Sequence, residues 1–262
     1  MNKEKIKSYL YLHAILPQLE EILEFDEEAG DIAKNWNASI RLGVKSGPRV
    51  SLIFKNGRLG IKREKAPMPT VGLFFLKHSS LNKMFEGKQI IPLVWKGFWC
   101  LSLLKGFSRL TKKMERYLRP DEEFLKTEEN LKFYLKVTLY TLLWGIKVVG
   151  ENDGSFKIKR ANATISRFPS GVFQVEILPD GPCGYITMAD GKFLPSKGKH
   201  PSPTSTFQIK NASIAYKMFQ GEIDFMVGLG TMDLRIVGLV SFAEAMSIIM
   251  EKLMEYLPGE DK

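Results

Sequence analysis

Lys83-Met84-Phe85-Glu86-Gly87 returns 134 positions later as Lys217-Met218-Phe219-Gln220-Gly221. The same ungapped offset sets Asn56-Gly57-Arg58-Leu59 against Asp190-Gly191-Lys192-Phe193, and Pro67-Met68-Pro69-Thr70 against Pro201-Ser202-Pro203-Thr204. Three matches in one register mark an internal repeat, and each half of the chain is long enough to bury its own core. The 262 residues are therefore read as two domains, 1–120 and 121–262.

Working outward, Asn37-Ala38-Ser39-Ile40 is set against Asn162-Ala163-Thr164-Ile165. Each half is expected to close with strand, turn, strand, glycine and helix. In the first this runs through Trp95, Gly97, Leu101, Leu103 and Gly106 to Leu118; in the second through Val227, Gly230, Leu234, Ile236 and Gly238 to Leu257. Each half also opens with a helix. Ile6, Leu10, His13, Leu16, Leu19 and Leu23 recur at three and four, a stripe bent where Pro17 lacks a backbone donor. Leu131, Leu135, Leu139, Leu142, Ile146 and Val149 form the second stripe, behind the helix-start acids Asp121, Glu122 and Glu123.

Between the helices lie short β-rich runs: 40–44, 50–54, 59–62 and 71–76, then 164–168, 172–178, 183–188 and 205–210. Asn56-Gly57 and Asp190-Gly191 between such runs signal two-residue hairpins. The pattern predicts an α+β fold, two tandem copies of an antiparallel sheet covered by helices on one face.

The helix end x-Met-Phe-x-Gly is followed in the second half by Gly230, Met232, Leu234, Ile236 and Gly238 before the last apolar helix. This pattern resembles the sterol carrier protein type two domain, over nearly all of residues 125–258 and more loosely over 4–119. The resemblance implies a non-catalytic apolar tunnel between sheet and terminal helices that holds a sterol, fatty acid, acyl-CoA or phospholipid. Departures are the longer β-rich section of the second half, with Pro179, Gly181, Pro182 and the Lys197–His200 loop, and a basic, aromatic first half.

The ligand is expected chiefly in the C-terminal repeat. The candidate lining is Phe207, Ile209, Met218, Phe219, Met226, Met232, Leu234, Ile236, Phe242, Met246, Ile249, Met250 and Leu253, rich in thioethers that adapt to varied apolar shapes. Lys210 and Arg235 are candidates to meet an anionic head group. In the first half Phe85, Trp95, Phe98, Trp99, Phe107 and Tyr117 are expected to plug the corresponding pocket or to pack between domains. The rival reading is a structural or regulatory scaffold with both tunnels filled by side chains.

Residues 1–120 hold 22 Lys+Arg against 11 Asp+Glu, and residues 121–262 hold 16 against 18, so the halves carry +11 and −2 of the total +9. The basic half suits transient contact with an anionic membrane surface. Nucleic acid is not expected as a partner, because the aromatics recur at core spacing. The two cysteines, Cys100 and Cys183, form neither a disulfide framework nor a metal cluster, and His13, His78 and His200 lack metal-ligand spacing. With no nucleophile elbow, phosphate loop or dinucleotide fingerprint, the chain is expected to be neither an enzyme nor a cofactor protein. No signal peptide or clean membrane span is read, and a cytoplasmic location is expected; the matches to the glycosylation pattern at Asn37, Asn162 and Asn211 then carry no sugar.

Overall fold

The computed structural model describes residues 2–63, 66–160, 163–166 and 170–257. The chain divides into two compact units, Met1–Arg119 and Pro120–Lys262.

In the first unit α1 (Lys3–Leu10), capped by Asn2, runs into a π-helical turn (Tyr11–Ile15) and a 3₁₀ turn (Leu16–Gln18) before α2 (Leu19–Phe25). The irregular stretch follows from Pro17. A regular helix needs an N–H at residue 17 to bond the carbonyl of His13, and proline has none. Arg63 Nε donates to that carbonyl instead, at 3.1 Å. α3 (Glu27–Ala33) follows, and then β1 (Asn37–Val44), β2 (Arg49–Lys55), β3 (Arg58–Lys62), β4 (Val71–Phe75), α4 (His78–Phe85), β5 (Leu93–Lys96) and α5 (Leu101–Leu118). The sheet order is β3-β2-β1-β4-β5.

The second unit opens with α6 (Glu128–Asn152), capped by Thr127, and a separate hairpin of β6 (Lys157–Arg160) and β7 (Ala163–Ser166). Then come β8 (Gly171–Ile177), β9 (Cys183–Ala189), β10 (Lys192–Lys197), β11 (Ser205–Ile209), α7 (Ala212–Phe219), α8 (Phe225–Gly230), β12 (Leu234–Gly238) and α9 (Val240–Met254). Its sheet order is β10-β9-β8-β11-β12, the same path as in the first unit. α6 is long and apolar enough to cross a membrane, but 67% of its most apolar window is buried within the fold, the environment of a core helix.

The class is α+β as expected, with one refinement: the central pair of each sheet is parallel. Ile40 lies beside Val71 and Phe173 beside Ser205 in parallel register, while the other pairs are antiparallel. After three hairpin-linked strands the chain crosses back to the far side of the first strand and enters running the same way. The crossover ends at Pro-x-Pro-Thr, and here the shared landmark has a physical task. Thr70 Oγ1 accepts from the N–H of Ser39 at 3.0 Å, and Thr204 Oγ1 from the N–H of Val172 at 2.9 Å, so each threonine pins the start of the parallel pair.

Two sequence expectations need correction. Ala163–Ile165 belongs to the separate hairpin, and Asn162 lies outside the described residues; by pairing, the counterpart of β1 is β8. The closing elements also differ from the expected strand-turn-strand. Leu101 and Leu103 lie in α5, and Val227 and Gly230 lie in α8. The true counterpart of Gly97 is Gly238. Both have positive φ, and a Cβ at either would stand 2.3 or 2.5 Å from the carbonyl oxygen of Thr70 or Thr204. Only glycine fits both demands.

Candidate functional site

One face of each sheet is covered. In the second unit α6 packs on β9 and β10, and α9 on β8, β11 and β12. Small residues set the approach: a Cβ on Gly145 of α6 would lie 2.8 Å from Leu253 Cδ2 of α9, and one on Gly171 of β8 would lie 3.0 Å from Phe242 Cε2. Phe242, Met246, Ile249 and Leu253, spaced four, three and four, form the buried stripe of α9. Phe207, Ile209 and Leu234 are buried on the facing strands.

The structure therefore gathers seven of the candidate lining residues into one apolar layer. Ile236, Met250, Met218 and Phe219 are half-buried at its margin. Met226 and Met232 are 71% and 69% exposed and stand outside the layer. They belong to a rim that the sequence reading missed in part, around α8 and the start of α9, where Phe225, Val227, Leu239 and Val240 are exposed as well; Ile248 and Met254 are exposed farther along α9. α8 is held down on β12 because Gly228 leaves room for Leu234, whose Cδ1 would be 2.6 Å from a Cβ. The rings of Phe225 and Phe207 are 5.8 Å apart, which joins rim to interior. The only advance signal of the rim was the Phe225–Leu229 apolar run, which also reads as a strand.

Of the polar candidates, Lys210 is paired with Asp233 at 2.8 Å, and Arg235 is exposed on the sheet's other face beside Gln208. Among the described residues of the second unit two buried hydroxyls are unmatched, that of Thr141 on α6 and that of Ser205, which lies on the strand face that α9 covers. Ser205 is fully buried on β11, and its hydroxyl has no hydrogen-bond partner among the described residues. The corresponding position of the first unit is Val71, also fully buried.

The second face of each sheet carries polar and charged side chains at its centre. In the second unit Glu176 accepts from Gln174 at 2.9 Å and Gln208 at 3.1 Å, and pairs with Lys199 at 3.3 Å. Gln174 in turn accepts from the N–H of His200 and holds the crossover loop. Burial, with the charge of Glu176, pushes the Cys183 thiol up to about 11, so it stays protonated at neutral pH. In the first unit Arg41 holds the loop by donating to the carbonyls of Ala66 and Pro67.

Among the aromatics expected to plug the first unit, Phe107 and Tyr117 are buried, and Phe85 stacks on Tyr11 at 4.7 Å. Trp95, Phe98 and Trp99 are exposed, because they sit on an edge strand and the turn beyond it, where no helix covers them.

No family model matches the chain, and no curated protein does. Among solved structures it is similar to the ubiquinone synthesis protein UbiJ-SCP2, at 13% identity over 47% of this chain and 93% of that one, with a TM-score of 0.33. It is similar to sterol carrier protein 2 like 2 from Aedes aegypti at 15% identity, over 43% and 95% of the two chains, with a TM-score of 0.30. It is also similar to a double mutant of the sec-alkyl sulfatase PisA1, at 9% identity over 30% of this chain with a TM-score of 0.27, and it spans 13% of that protein's length.

Proposed function

We propose that the chain binds and carries a lipid or acyl ligand, chiefly in the second unit, between α9 and strands β8, β11 and β12. In this reading the units are tandem copies of a sterol-carrier-like fold. The shared strand order, the parallel central pairs and the matched Gly97 and Gly238 support descent from one unit. The proteins of that name among the similar structures motivate the choice of ligand class.

The observation that carries the reading is Ser205. An unpaired hydroxyl inside an apolar layer costs about 1–3 kcal/mol, and a ligand with a polar group at one end of an acyl chain removes that cost. The chain itself contributes roughly 0.8 kcal/mol per methylene taken from water. The exposed rim of α8 and the start of α9 provides the path inward. The role is carriage rather than catalysis, in a reducing cytoplasm, with no nucleic acid bound.

The test is titration of delipidated full-length protein with a pyrene-labelled C16 fatty acid. Ser205→Ala should weaken binding by about three- to tenfold, and Met250→Trp should weaken it as well by narrowing the layer. Absence of binding to the unaltered protein would overturn the reading.

The proposal includes contact with an anionic membrane surface through the first unit. Ile91 is 90% exposed, and Leu93, Trp95, Phe98, Trp99 and Leu101 are exposed beside it. Between Gly87 and Met114 the chain has six Lys or Arg and no Asp or Glu. Exposed indole and lysine together suit the headgroup layer.

A further inference from the structure

The faces of the two sheets that the crossover loops, rather than helices, lie against differ at equivalent positions, and strand register fixes the equivalence. Arg41 beside Gly72 corresponds to Gln174 beside Thr206; Gly43 between Arg49 and Phe74 corresponds to Glu176 between Cys183 and Gln208. In the second unit those side chains satisfy one another around the Glu176 carboxylate. Among the described residues the first unit has no carboxylate there. It has two arginines, and glycine at both positions that would fill the centre.

The glycines make a floor. A Cβ on Gly72 would lie 2.2 Å from the Trp95 ring, and one on Gly43 would lie 2.9 Å from Arg49 Cγ, so the indole and the arginine stem rest directly on the sheet. A cleft of about 370 Å³ results, lined by Arg41, Gly43, Arg49, Leu73, Phe74 and Trp95. That volume lies within the range of small-molecule sites. Arg41 is fixed before any ligand arrives: Nε donates to Ser51 Oγ at 3.0 Å, and Nη2 to the carbonyls of Ala66 and Pro67 at 2.8 and 2.6 Å. Its remaining terminal nitrogen, and the whole guanidinium of Arg49, have no partner among the described residues.

We propose that this cleft binds a small organic anion with a flat ring, a carboxylate or phosphate meeting Arg41 and Arg49 while the ring lies against Trp95 and Phe74. The planar N–H fork of Arg49 matches carboxylate and phosphate oxygens, and the remaining terminal nitrogen of Arg41 adds a second charged donor. The indole and phenyl faces over a glycine floor select the flat body. The site is on the face opposite the apolar layer, in the other unit from the candidate lipid site, and does not depend on lipid carriage.

The test is calorimetry on the full-length protein with two probes, indole-3-acetate for an aromatic carboxylate and adenosine 5′-monophosphate for a ring phosphate. Adenosine and inorganic phosphate serve as controls. At least one probe should bind, and each control at least tenfold more weakly. Arg49→Gln, a change at an exposed side chain, should weaken that probe at least tenfold while leaving the fatty-acid titration unchanged. Gly43→Glu, which copies the second unit, should abolish it. Failure of both probes, or equal binding by folded Arg49→Gln protein, would overturn the proposal.

Discussion

Asp26 gathers three donors at the corner where α2 gives way to α3. Its Oδ1 accepts from the Ala29 N–H at 2.9 Å as the cap of α3, and its Oδ2 accepts from Tyr117 at 2.7 Å and Lys113 at 3.0 Å on α5. Burial alone pushes the carboxyl up, but the bonds from Tyr117, Ala29 and Lys113 together outweigh it and hold the carboxyl below its ordinary value of 3.8. A depressed folded value means the charged form is favoured by folding. The stabilisation is then complete above the unfolded value and is lost as pH falls through the folded one. Asp26→Asn keeps a capping oxygen but loses the charge. It should cost about 1–2 kcal/mol at pH 7 and flatten the fall of stability below about pH 4, read by urea unfolding across pH. Composition and spacing did not single out Asp26, because all its partners but Ala29 are more than eighty residues away. Met232 shows the opposite limit. Its thioether was read as lining, yet its backbone is left-handed, at φ +62, and its side chain is exposed.

At the scale of elements, the signals that were legible were local. Lys-Met-Phe-x-Gly was read as a helix end, and Gly87 and Gly221 have the positive φ that ends a helix. Asn-Gly and Asp-Gly turns sit where hairpins were expected, at φ +48 and +79 and at +52 and +72. What escaped was set by pairing across the chain. Parallel register in β1·β4 and β8·β11 has no local signature, and a four-residue likeness therefore drew Asn162–Ile165 into the wrong strand. Edge strand β10 illustrates how such non-local contacts hold. Lys147 donates to the carbonyl of Phe193 at 2.8 Å, and Glu151 accepts from its N–H at 2.9 Å, so α6 covers backbone groups the sheet leaves free. Between those two bonds Gly150 lets the Phe193 ring lie against the helix, with ring atoms 2.7–3.1 Å from where a Cβ would stand. Gly150→Ala gains up to about 1 kcal/mol of helix propensity but forces a fully buried ring to move, which costs about 1–3 kcal/mol. We expect net destabilisation in urea unfolding, whereas the same change at the unconfined Gly154 should leave stability nearly unaltered.

Across the whole molecule the uneven charge was visible from counting alone, and the structure adds where apolar surface accompanies it. The first half carries +11 and exposes Ile91, Leu93, Trp95, Phe98, Trp99 and Leu101 within a stretch that has no acid. The second half carries −2 and exposes its rim on α8 and α9. If the basic patch meets lipid headgroups, attraction and insertion contribute separately, and flotation can separate them. Full-length protein should float with phosphatidylglycerol–phosphatidylcholine vesicles at low ionic strength and not with pure phosphatidylcholine. Raising salt shortens the Debye length from about 10 Å at 0.1 M to about 3 Å at 1 M and should release most of it. Replacing Phe98 and Trp99 together by Ser removes inserted rings but no charge, so it should weaken flotation at every salt concentration while leaving the salt dependence in place. Binding that ignores lipid charge would refute the electrostatic half of the idea, and binding that ignores the two rings would refute the other half.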